Sequence, residues 1–221
     1  MIPKYSEDIL LSNFKLKLEE NDVCLVKKHK AWSGKLIAWA QDKMLRKWNY
    51  SEEEVNAAKV FIHAFLIYRK EKTFVNCIEA NPPKVRKFSV DLYAESEILL
   101  LRPKTPISVI DRKMGSIEAD KMENISYDIF EYLVYPFYMS IGDSPLFWDK
   151  LWDSKEKPVC SGLVVKIYNA MGRLLGYKEN IKKVVPAKLA LIEELEIVGR
   201  YKIINDSREP IKFDKKPFWL R

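Results

Sequence analysis

Hydrophobic positions along the chain fall into short dense runs separated by longer periodic ones. The dense runs are rich in β-branched and aromatic residues and predict strands. They are "NDVCLVKK" (21–28), "VFIHAFLIY" (60–68), "TFVNCIEA" (73–80) and "SEILLLRP" (96–103), the last closed by a proline. The charged turn "RKEK" between the second and third marks a hairpin. Helical spacing appears in "AWSGKLIAWAQDKMLRKW", with Ser33 as its cap, and in "NYSEEEVNAAK", whose acidic residues come early as a helix start prefers. Residues 105–125 predict a polar helix. An aromatic helix from Ser126 follows, which Pro136 should end or kink. "NPPKVRKFSVDLY" reads as a loop around a proline pair. In "KPVCSGLVVKIYNAMGRLLGY" (157–177), Leu163, Val164, Ile167, Met171, Leu174 and Leu175 recur at helical spacing. Pro158 stands at the start of that helix, and Gly172 and Gly176 stand near its end. "VVPAKLALIEELEIVGRYKII" ends as a final strand, before the basic, proline-containing tail "NDSREPIKFDKKPFWLR". The expected fold is α+β: a central antiparallel sheet packed against helices, including the one that opens at Cys160. A single domain spans 1–221, with a core over about 20–200 and a basic extension over 205–221.

Composition narrows the classes more than the chemistry. A chain of 221 residues with 48% hydrophobic content can bury a sizeable core. Lys plus Arg number 38 against 31 Asp plus Glu, a net charge of +7. That charge suits an anionic polymer or a membrane surface, but it is scattered, as on an ordinary solvated surface; nucleic acid is disfavoured. Cys24, Cys77 and Cys160 form no CxxC spacing, so neither a disulfide framework nor a zinc site is suggested. No basic stretch followed by an apolar core opens the chain, and the most apolar segment carries Asp128, Glu131 and Pro136. The expectation is a soluble, cytoplasmic protein, with delivery to a cell wall left open.

Two positions break the apolar pattern in a way that suggests chemistry. Cys160 opens a helix, where the N-terminal dipole favours a thiolate; it also falls on the apolar stripe, where a cysteine can be a small buried hydrophobe. His63 interrupts a run apolar on both faces, sharing one face with Phe61, Phe65 and Ile67. Glu79 ends a similar run, and buried ionisable groups are rare unless paired or used. If Lys70-Glu71-Lys72 is the hairpin loop, Arg69 faces Thr73, Tyr68 faces Phe74, and His63 stands directly opposite Glu79 on one face. A carboxylate there would orient the ring and favour its charged form, which in turn favours a thiolate. His29, among lysines in "VKKHKAW", is a surface residue in this reading.

The order of these elements resembles the circularly permuted papain-like hydrolases, the YiiX-like branch of the NlpC-type cell-wall peptidases. The motifs that carry the resemblance are "NDVCLV", "IHAFLI", "CIEANPPKVR" and "PVCSGLVVKIY", followed by "VPAKLALI". Asn21 and Ile62 depart from the glycine and serine usual at those places, and the charged segment 42–59 looks like an insertion. The resemblance implies Cys160 as nucleophile, His63 as base and Glu79 as the residue orienting the base. It also implies Asp22, Ser161 and Tyr127 as substrate-side residues, with no metal or organic cofactor. The implied reaction is cleavage of an amide in a peptidoglycan-type peptide, so a peptide or wall fragment is the implied partner. A lipid amide or ester hydrolase or acyltransferase on the same scaffold is the enzymatic alternative. A non-catalytic basic binding module using the tail "KFDKKPFWLR" is the non-enzymatic one. The oligomeric state is left open.

Overall fold

The computed structural model describes residues 1–27, 32–72, 74–127, 158–175 and 184–206. Its strands, in chain order, are β1 (Glu7–Leu10), β2 (Val23–Lys27), β3 (Phe61–Lys70), β4 (Val75–Asn81), β5 (Lys84–Ser89), β6 (Glu97–Pro103) and β7 (Leu195–Ile204). They form a seven-stranded sheet in the order β1-β7-β6-β2-β3-β4-β5. Every neighbouring pair is antiparallel except β1 and β7, which run parallel. The helices are α1 (Leu11–Lys17), α2 (Trp32–Lys47), α3 (Glu52–Ala58), α4 (Val109–Met122), α5 (Cys160–Ala170) and α6 (Pro186–Leu189), with a 3₁₀ turn at Val90–Tyr93.

Both faces of the sheet are covered, which explains why β3 is apolar without alternation. Ala64 and Leu66 of β3 and Leu25 of β2 pack against α2 to α6 in one core, through residues such as Leu45, Val55 and Ile167. Cys24, Phe65, Ile67 and Cys77 point the other way, into a second core closed by Phe14 of α1 and Tyr93 of the 3₁₀ turn. Phe61, expected on the face of His63, lies instead in the first core. The reason is an irregularity in β3, where His63 pairs with Val26 but Phe61 pairs with Lys27, so Ile62 breaks the alternation. Such a bulge re-aims the side chains beside it.

The helix starts follow local chemistry. Ser51 caps α3 in a reciprocal capping box with Glu54, and Glu52, Glu53 and Glu54 fill its first turn. Ser33, expected to precede α2, falls within it, because the helix begins at Trp32. α5 is buried on nearly every side over Cys160–Val165 and again at Ile167 and Tyr168. It stops where Gly172 turns left-handed, with φ of 70°. Leu174, expected on its apolar stripe, lies beyond the helix and is exposed.

Two segments depart from the sequence expectation. Residues 84–89 form β5, not a loop: Asn81 pairs with Lys84 across a tight turn at Pro82-Pro83, which is joined by a cis peptide bond. Ser126, expected to start a helix, forms an extended bridge to Lys84. The aromatic helix expected beyond Tyr127, His29, Gly176 and the tail from residue 207 lie outside the described residues.

Candidate active site

β3 and β4 bring His63 and Glu79 together, by a route different from the expected one. The hairpin closes at Lys70 opposite Val75, one residue wider than the three-residue loop expected. By itself that register would send Glu79 to the wrong face. A bulge between Ile67 and Arg69 then inserts one residue and restores the parity. With Ile67 opposite Cys77, Glu79 stands diagonal to His63 on the same face, not directly opposite. The side chains span the diagonal, as long ones can: His63 Nε2 lies 2.8 Å from Glu79 Oε2.

Glu79 is fully buried and every side of its carboxylate is occupied. On Oε2 it accepts from His63 Nε2 and from the Tyr93 hydroxyl. On Oε1 it accepts from Arg86 Nε at 2.7 Å and from Asn81 Nδ2 at 3.2 Å. Arg86 Nη2 also approaches Oε1 to 2.6 Å, but off the hydrogen-bonding angle, so that contact is one of charge. Burial pushes the Glu79 carboxyl up, yet His63, Arg86 and Tyr93 together hold it below the ordinary value. An ionised Glu79 accepts, so Nε2 of His63 carries a proton.

His63 in turn meets Cys160. Burial opposes charge on the ring, but the charge and hydrogen bond of Cys160, followed by those of Glu79, raise His63 to about 9. Nε2 is engaged by Glu79, which leaves Nδ1 for the sulfur. The body of α5 packs in the first core while Glu79 and Tyr93 belong to the opposite side, so His63, beside the bulge at Ile62, joins the two. Its ring also stacks on Tyr93, with centroids 6.2 Å apart and planes 22° apart. Cys160 retains 8% of its surface, whereas Cys24 and Cys77 have none. Burial pushes both of those thiols well above the ordinary value.

The three residues assigned to the substrate side stand in different places. Asp22 is buried about four residues along β2 from Val26, the partner of His63, or roughly 13 Å away at strand spacing. Its carboxylate is taken by a bidentate Arg102, 2.8 Å on each oxygen, and by the Glu19 backbone N–H. Burial nevertheless leaves its carboxyl above the ordinary value. Asp22 therefore holds β2 to β6, its oxygens engaged by Arg102 and Glu19. The Ser161 hydroxyl is buried and donates to Val184 O, so it ties the start of α5 to the segment before α6. Tyr127 is buried, and its backbone N–H donates to Pro83 O at the end of the sheet where Glu79 and Arg86 lie.

Sequence reasoning missed Arg86, Tyr93, Asn81 and Gln41. Arg86 was findable: a two-residue turn at Pro82-Pro83 places it directly opposite Glu79. Gln41, fully buried on the apolar side of α2, donates to Lys59 O and Phe61 O and accepts from the Ala187 N–H. It thus braces β3 just ahead of His63.

No family model and no curated protein matches the chain's sequence. Among solved structures it matches the metalloprotein yiiX of Escherichia coli O157:H7, with a TM-score of 0.53 over 82% of this chain and 97% of that one. The fold is YiiX-like. At 14% identity the likeness is one of fold alone. That protein is described as a metalloprotein; among the described residues here, no group of three or more His, Cys, Asp or Glu could hold a metal ion. Nor, among them, is any helix long and apolar enough to cross a membrane.

Proposed function

We propose that the chain is a thiol hydrolase of permuted papain-like arrangement, cleaving an amide by a Cys160–His63–Glu79 mechanism. The observation that carries this reading is one buried histidine bonded on one side to a helix-opening cysteine and on the other to an ionised glutamate. A base that must take and return a proton needs its nucleophile on one nitrogen and an orienting acceptor on the other, and His63 has both.

The steps follow from that placement. The Cys160 thiolate attacks the acyl carbon and forms a C–S bond, while the carbonyl electrons move onto oxygen. Val159 supplies no side-chain cap to α5, so backbone N–H groups of the first turn, that of Cys160 included, receive the oxyanion. On collapse the C–N bond breaks and His63 Nδ1 gives its proton to the departing amine. A water then loses a proton to His63 and attacks the thioester, and the sulfur leaves as thiolate. Glu79 stays ionised throughout and keeps the ring oriented.

The order of the sequence motifs, through their resemblance to the cell-wall peptidases, favours a peptidoglycan-type peptide as substrate. The test is hydrolysis of a panel of γ-glutamyl dipeptides and wall-peptide fragments, with fatty-acyl amides and esters as the competing arm. Cys160→Ala should abolish turnover and cost at most about 1–2 kcal/mol of stability, within the ordinary range of point changes. Turnover retained by Cys160→Ala on any substrate of the parent would end the proposal.

A further inference from the structure

We propose that Tyr93 and Arg86 are positioning residues of this site: from the two ends of the Glu79 carboxylate they hold it as a fixed anion, so that it orients His63 without taking its proton. This inference rests on the thiol-hydrolase reading of Cys160 and His63. A carboxylate offers about four acceptor positions, and Glu79 fills them with two donors per oxygen. His63 and Tyr93 share Oε2, and Arg86 and Asn81 share Oε1. The carboxylate can neither swing away from the ring nor take up a proton without displacing one of these donors.

The two residues arrive from separate elements and do different work. Arg86 comes from β5 and supplies the positive charge facing Glu79 from the side away from His63. Its side chain is 30% exposed, so it reaches the buried carboxylate from the surface. Tyr93 comes from the 3₁₀ turn and is fully buried. Its ring lies nearly parallel to both His63 and Phe65, at 22° and 15°, so one side chain sets the plane of the base and bonds the group that orients it. The other ionisable group acting on this cluster from β4 is Cys77, itself acted on by Asp91 and Lys15. Cys160 acts through His63 from α5. Arg86, Tyr93 and Asn81 are the donors whose loss leaves the Cys160–His63–Glu79 set intact, and of these Arg86 alone brings a charge and Tyr93 alone a ring against His63.

The test follows the His63 Cε1–H resonance against pH, together with kcat/KM on a cleaved amide. Protonation of Glu79 removes the ring's acceptor and appears as an inflection on the acid side of the His63 curve. Each hydrogen bond to a carboxylate is worth about one pH unit. Tyr93→Phe, which keeps the ring stack, should therefore move that inflection up by about one unit. Arg86→Met should move it up as far or farther, and Arg86→Lys, which keeps the charge, should restore most of the shift. The acid limb of kcat/KM should move in step, with kcat/KM falling about tenfold at pH values below both inflections. A merely structural role would lower activity at every pH and leave both inflections in place; that result overturns the proposal. Should Tyr93→Phe fail to fold, the contrast between Arg86→Met and Arg86→Lys decides alone, because Arg86 enters from the surface. If the inflection moves but no amide is ever cleaved, the clamp stands and the hydrolase reading falls.

Discussion

The charge state of His63 has a consequence for stability that can be measured without any substrate. Its folded-state value of about 9 lies above the ordinary 6.5. The stability it contributes is therefore whole below about 6.5 and is lost as pH rises to about 9. Glu79 runs the other way: its value is lowered from 4.5, so its contribution is present above 4.5 and is lost as pH falls through the lowered value. The pair thus supports the fold best between those limits, and thermal melts should decline from about pH 6.5 toward 9. Cys160 is the largest of the interactions that raise His63. In Cys160→Ala the decline should still begin near 6.5 but be smaller and end at lower pH, and an unchanged decline would show that the sulfur does not act on the ring. Arg102→Met probes the separate ion pair at the far end of β2. Removing one partner of a buried pair typically costs about 3–5 kcal/mol. The deficit should shrink in acid, where Asp22 becomes neutral, and urea melts at pH 4 and pH 7 give the comparison.

At the scale of elements, legibility followed burial. β2, β3, β4 and β6 announce themselves as apolar runs because both faces of the sheet are covered there. β5, "KVRKFS", does not, because an edge strand keeps charged residues that discourage further pairing. Reading it as a loop hid Arg86, and with it the reason Glu79 stays ionised. The His63–Glu79 partnership was legible from two ionisable residues in apolar runs, but not its geometry. The longer loop and the bulge after Ile67 each shift the register, and their effects on facing cancel. Asp22 shows the opposite case: a motif match supplied a role that Arg102, far away in sequence, takes for structure. Gln41 could be read only as a polar interruption of α2, since its three partners lie at the end of α3, at the start of β3 and on α6. Gln41→Leu would orphan those buried backbone groups at roughly 1–3 kcal/mol each. It should destabilise clearly more than Ser51→Ala, which removes one exposed cap worth about 1 kcal/mol. Equal midpoints for the two variants in urea would show that the brace carries no weight.

On the scale of the whole molecule, the sheet is held shut by its most distant parts. β1 pairs with β7 from Glu7–Tyr201 to Leu10–Ile204, and the Ser12 N–H donates to Asp206 Oδ2 across 194 positions. Ile9, Leu11, Phe14 and Leu18 are buried only with that end of the sheet in place. On a ribosome, β1 emerges well ahead of β7, the partner it waits for. At about 5–20 residues per second, some 185 residues of synthesis leave those four apolar side chains uncovered for roughly 10–40 seconds. The half of the sheet that holds His63 and Glu79 has no such wait, because β3, β4 and β5 follow one another directly. Birth order thus splits the protein differently from its final architecture: His63, Glu79 and the donors around them can assemble early, while the helix that opens at Cys160 and the strand that completes the sheet arrive later.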